Sequence, residues 1–229
     1  MSCPDKNLCQ GQIAFQGRIV AGATHEFQNH LAVIKEYGGL INDLLNGKQA
    51  NGKRVIKRCR EISANINERA NRAAVLADAL NRFAHRGDAA VSAFRINDAV
   101  EDLIALLQRF AAQHNIALEA KYGGRVAEVI NNPSLLQYLV FLLTAPLIDA
   151  LGEGGKVTLS TSAAKDKTPV IEIKAEGTTS SLADTGPAPE FLKECLNELA
   201  ATLSLDAAKK KIRKYTLSIP SLAETRQIR

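Results

Sequence analysis

The run Ala23-Thr24-His25-Glu26-Phe27-Gln28-Asn29-His30-Leu31 places an imidazole, an adjacent carboxylate and a downstream amide within one short stretch. A neutral imidazole nitrogen is a competent nucleophile near pH 7. On a helix, the neighbours of His25 three and four residues away are Ala21, Gly22, Gln28 and Asn29. Two are small and two are polar, which leaves room for a tetrahedral phosphoryl group and for a docking partner. Glu26, read on the outer side, can hold the other ring nitrogen and raise the basicity of the nucleophile. Asn29 can orient a water or a phosphoryl oxygen. These types at this spacing suit phosphoryl transfer through histidine. An isolated His-Glu pair reads more readily as an exposed helical histidine of no consequence, so the surrounding elements decide.

Apolar residues recur in alternating steps of three and four at Ile13, Gly17, Val20, Thr24, Phe27, Leu31, Ile34, Gly38, Ile41 and Leu45. This spacing, about 3.5 residues on average, marks a helix packed on other helices. Asn46-Gly47 and Asn51-Gly52 punctuate the chain. A second seam runs through Val55, Cys59, Ile62, Ile66, Arg69, Ala73, Leu76, Leu80 and Phe83, interrupted by Arg69. Two long helices with a short connection make an antiparallel hairpin. A lone hairpin leaves apolar surface uncovered, so two chains are expected to form a four-helix bundle.

Composition changes after His85-Arg86-Gly87-Asp88. Phe94 to Ile96 reads as a short strand, and Asn97 as the cap of a helix running to Gln113. Ile116 to Lys121 alternates like a strand, and Tyr122-Gly123-Gly124 turns. Asn132-Pro133-Ser134 opens a helix that closes at Gly152 to Gly155. Lys156 to Ser162 and Val170 to Ala175 read as strands around Lys165-Asp166-Lys167. Thr178 to Pro189 reads as a loop, Phe191 to Leu203 as a helix and Ile212 to Ile219 as a closing strand. The expected organisation is a flexible N-terminus over 1–11, a helical hairpin over 12–87, an α/β sandwich over 93–222 and a tail over 223–229.

Bulk properties narrow the function classes. The chain has 229 residues, 46% of them hydrophobic and 5% aromatic, with a net charge of +5. That supports an ordered, helix-rich core. The cluster Lys209-Lys210-Lys211 with Arg213 and Lys214 lacks an aromatic ladder, so it reads as a solvated turn rather than a nucleic-acid surface. Cys3, Cys9, Cys59 and Cys195 show neither a pairing pattern nor zinc spacing, the mark of a reduced, cytoplasmic chain. No stretch reads as a leader or a membrane span. His30, at the edge of the seam, and His85 and His114, at helix ends, read as structural.

His25-Glu26 on a helical hairpin resembles the phosphoacceptor motif of two-component sensor histidine kinases. Glu26-x-x-Asn29 is similar to that family's phosphatase element. The resemblance implies that His25 is phosphorylated at its outer nitrogen and that the hairpin dimerises. From Asn97 to Pro220 the order of elements resembles the kinase ATP-binding domain. Asn132-Pro133-Ser134-Leu135-Leu136 is similar to its Asp-Pro-x-x-Leu helix opening, Ile148-Asp149-Ala150-Leu151 to the end of its asparagine box, and Tyr215 to Pro220 to its closing strand. The asparagine positions fall on Leu142 and Pro146, and neither can coordinate Mg²⁺, which takes oxygen ligands. Pro146 also removes a helix donor and is expected to kink its helix. The adenine-recognising aspartate falls on Ala175, with Glu176 one residue out of register. No Gly-x-Gly lid follows, and Gly152 to Gly155 opens no phosphate-binding helix.

The resemblance therefore implies a degenerate ATPase-like α/β domain behind a phosphoacceptor hairpin, as in dimeric histidine phosphotransferases of phosphorelays. Such a chain binds no cofactor itself and does not use ATP; Mg²⁺ is held by its partners, the receiver domains of response regulators. Docking is expected on the first helix through Arg18, Ala21, Gly22, Gln28, Asn29 and Ala32 beside His25, with part of the second helix. Arg18 reads equally as a solvated charge. A non-catalytic dimeric binding module, a regulator phosphatase acting through Asn29 and a divergent kinase are the alternatives. Loss of function in a His25 variant, sensitivity to Asn29 and nucleotide binding, respectively, separate them.

Overall fold

The computed structural model describes residues 6–47, 52–177, 189–209 and 212–222. Two long helices come first: α1 over Lys6–Asn46 and α2 over Lys53–His85. They pack antiparallel, the second seam facing the first helix. The helix α1 starts earlier than the expected flexible terminus allows, because Leu8 is already buried. Cys9 is disulfide-bonded, which corrects the reading of four reduced cysteines; Cys59 and Cys195 are free thiols.

The second seam is the packed one, with Ile62, Leu76 and Phe83 buried and Arg69 half-buried on it. On α1 the packed face differs from the expected seam. Leu8, Phe15, Ile19, Gly22, Ala23 and His30 are buried. Ile13 is 67% exposed, Val20 48% and Leu31 62%. The helix carries two apolar stripes, and the one toward the rest of its own chain includes small and polar residues that periodicity undervalues.

The α/β unit contains β1 (Ser92–Arg95), α3 (Ile96–Gln113), β2 (Ala117–Lys121), β3 (Glu128–Asn131), α4 (Pro133–Ala150), β4 (Lys156–Ala163), β5 (Pro169–Glu176), α5 (Pro189–Glu198), β6 (Thr202–Lys209) and β7 (Ile212–Ser218). Five strands form one sheet in the order β2-β4-β5-β7-β6, with β2 and β4 parallel and the other pairs antiparallel. β1 and β3 form a separate antiparallel pair. Along β5 the alternation is complete: Ile171, Ile173 and Ala175 are buried, while Glu172, Lys174 and Glu176 are half-exposed. This is a two-layer sandwich with a helical layer on one sheet face.

Several local expectations are corrected. Arg95, not Asn97, is the N-cap of α3. The Asn97 amide donates to Gly123 O at 3.0 Å and accepts from Thr161 at 2.6 Å, pinning the turn after β2. The helix expected to reach Leu203 stops at Glu198, and β6 and β3 are additional strands. Ala200 takes a positive φ of 49° at that stop. α4 runs through Pro146 as one helix, capped by Asn132, whose side chain accepts from Leu135 N. It has the length and hydropathy of a membrane span, but 72% of it is buried inside the fold. Residues 178–188, covering most of the expected loop, lie outside the described residues, as do Lys210, Lys211 and the 223–229 tail.

Candidate functional site

Successive residues on α1 are about 100° apart, and this divides the helix into three stripes. Ile13, Val20, Thr24 and Leu31 form the exposed apolar one. Gly22, Glu26 and Asn29 turn toward α3. Between them lie Ala21, His25, Gln28 and Ala32, all exposed and spaced four, three and four residues apart. His25 is thus presented on an open strip flanked by small and polar side chains. No hydrogen bond or ion pair to its ring is found among the described residues.

Glu26 is not on the outer side. Its carboxylate, one-third exposed, lies 3.6 Å from His30 Nε2 and 3.7 Å from Arg109 Nη1 of α3, and accepts from Asn29 Nδ2 at 3.4 Å. Adjacent positions on a helix do not face one another, so Glu26 serves groups a turn away rather than His25. His30 is 5% exposed, and its Nδ1 is buried without a partner. Glu26, Asn29, Arg109, Gln108 and Gln113 rim a cleft of about 500 Å³ floored by Ala23, Leu76 and Leu106.

Two of the residues expected to meet a partner are used inside the fold. Arg18 stacks over Phe110 at 5.3 Å and Phe141 at 5.5 Å. Gly22 is buried under Phe110: a Cβ there would sit 2.9 Å from its Cζ. Gly22, expected on the docking surface, is therefore a packing position of α1 on α3. Ala21, Gln28 and Ala32 remain available beside His25.

The hairpin and the α/β unit are joined along this face. Phe15 packs edge-on against Phe83 of α2 and tilted against Tyr138 and Phe141 of α4, with centroids 4.7–5.5 Å apart. Asp102 of α3, its side chain 2% exposed, accepts from Arg82 Nε at 2.7 Å and Arg86 Nη2 at 2.5 Å at the end of α2. That carboxylate raises the pKa of Arg82 above its ordinary value. Asp102, Arg109 and Phe110 sit within an ordinary amphipathic pattern, and no motif in the sequence singles them out.

The positions aligned with the asparagine box face the hairpin. Leu142 and Pro146 line a groove with Tyr138, Phe141, Ala145 and Asp149, whose other wall is Gly11, Ala14, Phe15 and Arg18 of α1. Ala175 is fully buried, and Glu176 accepts from Lys174 at 2.9 Å. Among the described residues no group of three or more His, Cys, Asp or Glu is placed to hold a metal ion. At the C-terminal edge Lys214 meets Glu172 at 2.6 Å and Arg213 donates to the Tyr215 hydroxyl, so both are engaged.

No protein-family model and no curated protein matches the chain. Among solved structures, the catalytic domain of the histidine kinase ThkA is similar over 57% of this chain and 95% of its own length, at 14% identity and a TM-score of 0.49. ThkA in complex with the response regulator TrrA is similar over 94% of this chain and 64% of its own, at 16% identity and a TM-score of 0.49. The Acinetobacter baumannii histidine kinase AdeS covers 86% of this chain and 97% of its own, at 14% identity and a TM-score of 0.47. All three are histidine kinases and all match at TM-scores below 0.5, so what this chain does rests on its own residues.

Proposed function

We propose that the chain is a histidine phosphotransferase of two-component signalling, relaying phosphoryl groups between response-regulator aspartates through His25 without using ATP. One observation carries the reading. An exposed imidazole, without a partner among the described residues, stands on an open strip of a long hairpin, while the groove beside the expected nucleotide positions is lined by Leu142 and Pro146 and walled by the hairpin.

The step needs little from the protein beyond position. An unprotonated ring nitrogen of His25 attacks the phosphorus of an aspartyl phosphate. An N–P bond forms, the acyl P–O bond breaks, and the aspartate carboxylate leaves. The other ring nitrogen keeps its proton. A second regulator's aspartate reverses the exchange. Mg²⁺ belongs to the regulator's acidic site. Ala21, Gln28 and Ala32 supply the surface on which the regulator sits. Glu26, to which Asn29 donates, reaches Arg109 of α3, and Arg18 and Gly22 pack on the same face further along.

The exposed stripe of Ile13, Val20 and Leu31 supports a homodimer in which a second hairpin covers it. The test is phosphoryl transfer to the purified protein from labelled phospho-regulators and, separately, from ATP, with His25→Ala alongside. Label from a regulator only, lost in the variant, is expected. Label from ATP would make the protein a kinase. No label from either source would leave a binding module.

A further inference from the structure

The first turns of α2 hold five cations in eight residues: Lys53, Arg54, Lys57, Arg58 and Arg60, all exposed. Arg58 meets Glu61 at 3.0 Å; no ion pair is found for the other four among the described residues. On the sheet, by contrast, Lys156, Lys174 and Lys214 each face a glutamate within 3 Å. The first turn of α2 contains no acid, and over 40–47 the facing end of α1 offers only Asp43. The first turn of a helix favours acids and disfavours bases, so the stability of α2 does not account for Lys53 and Arg54.

We propose that this hairpin tip is an electrostatic docking rim for an acidic protein, the receiver domain that exchanges phosphoryl groups with His25. The inference rests on the phosphotransferase reading and adds a surface that the site at His25 does not contain. Carboxylates holding Mg²⁺ beside a phosphorylated aspartate make the reacting end of such a domain anionic. With Phe15 against Phe83, the antiparallel register sets Arg60 level with Gly38 and Gly39, roughly 20 Å beyond His25 at 1.5 Å per residue. A domain of about 100 residues has a radius of gyration of about 13 Å. Seated over His25, such a domain has an outer radius of about 17 Å and ends just short of the level of Arg60, with Lys57 roughly 7 Å and Lys53 roughly 13 Å outside it. Cations at such a rim act on encounter: they raise the association rate and lose their effect as salt screens them.

The variant Lys53→Glu/Lys57→Glu/Arg60→Glu tests this. Lys53→Glu places an acid in the first turn, where the helix dipole favours it, and circular dichroism verifies that α2 is retained. Association of the full chain with purified phosphorylated receiver domains is followed by stopped-flow fluorescence at about 20 and about 500 mM salt. At low salt the variant is expected to associate roughly tenfold more slowly than wild type or worse, within the range of electrostatic steering, and the gap is expected to close at high salt. Equal rates at low salt overturn the proposal. Phosphatidylserine vesicles and duplex DNA are run in parallel. Binding of either that the substitutions abolish, with receiver association unaffected, also overturns it. Label transfer is scored separately. Tip-dependent association without label on His25 refutes the relay and supports the rim; label with tip-independent association refutes the rim alone.

Discussion

Replacing Asp102 by alanine is expected to loosen the join between hairpin and α/β unit at a cost that follows from the surroundings of its two partners. The carboxylate is 2% exposed and holds Arg82 and Arg86 at 2.7 and 2.5 Å. Arg82 is 53% exposed and returns to water, so its share is about 0–1 kcal/mol. Arg86 is 13% exposed and its Nε already lacks a partner. Stranding a buried charge costs roughly 3–5 kcal/mol, and partial access to water puts this site near about 3. For a chain of this size that lowers Tm by roughly 6–12 °C. Asp102→Asn keeps the shape and one acceptor oxygen, so this variant is expected to lose about half as much. Asp102→Leu with Arg86→Leu replaces the pair by apolar volume and is expected to recover most of the loss. Thermal and urea unfolding followed by circular dichroism measure all three. Asp102→Ala within about 1 kcal/mol of wild type, or a double variant no better than the single, would refute the reasoning.

Gly22→Val is expected to destabilise by about 1–3 kcal/mol, because its side chain meets the Phe110 ring; an unchanged urea midpoint would contradict the packing of α1 on α3. His25→Ala is expected to change stability by less than about 0.5 kcal/mol, as an exposed position, while abolishing phosphoryl transfer. Val20→Glu with Leu31→Glu is expected to convert a dimer to a monomer by light scattering, since both side chains are exposed in the single chain. Burial, reinforced by Glu194, pushes the Cys195 thiol up to about 12 from 9.0. It is expected to resist Ellman's reagent at pH 8 while the half-buried Cys59 reacts. The unfolded thiol ionises first, so Cys195 withdraws stability as pH rises from about 9 toward 12; urea midpoints across that window follow the loss.

Periodicity in the sequence carried the hairpin and most of the sandwich because burial on a helix or strand repeats with the backbone. The seam from Val55 to Phe83 and the alternation along β5 are direct readings of that kind. Its errors share one cause. The stripe of Ile13, Val20 and Leu31 is as regular as the buried one, and nothing local states which stripe meets the chain's own helices. Asn97 had the type and place of a cap, but Gly123 and Thr161, brought close by the sheet, compete for its amide. A helix through Leu203 had acceptable propensity, yet the open edge of β7 recruits 202–209 as a strand, a tertiary override of local preference.

For the candidate site, residue types alone pointed to His25 as the proposed nucleophile, to its small and polar neighbours, and to the apolar identities of Leu142, Pro146 and Ala175. They belong to the covalent chain and do not depend on packing. Direction was decided only by the tertiary structure. Glu26 turns inward because Arg109 and His30 lie there. Arg18, though exposed, lies over two aromatic rings of α3 and α4. Gly22 is small because Phe110 fills the space above it. Each of these partners is distant in sequence or a full turn away. Which side chain a group meets depends on how α1 is rotated against α3 and α4, and that rotation is set by the sum of packing contacts rather than by any one residue's spacing.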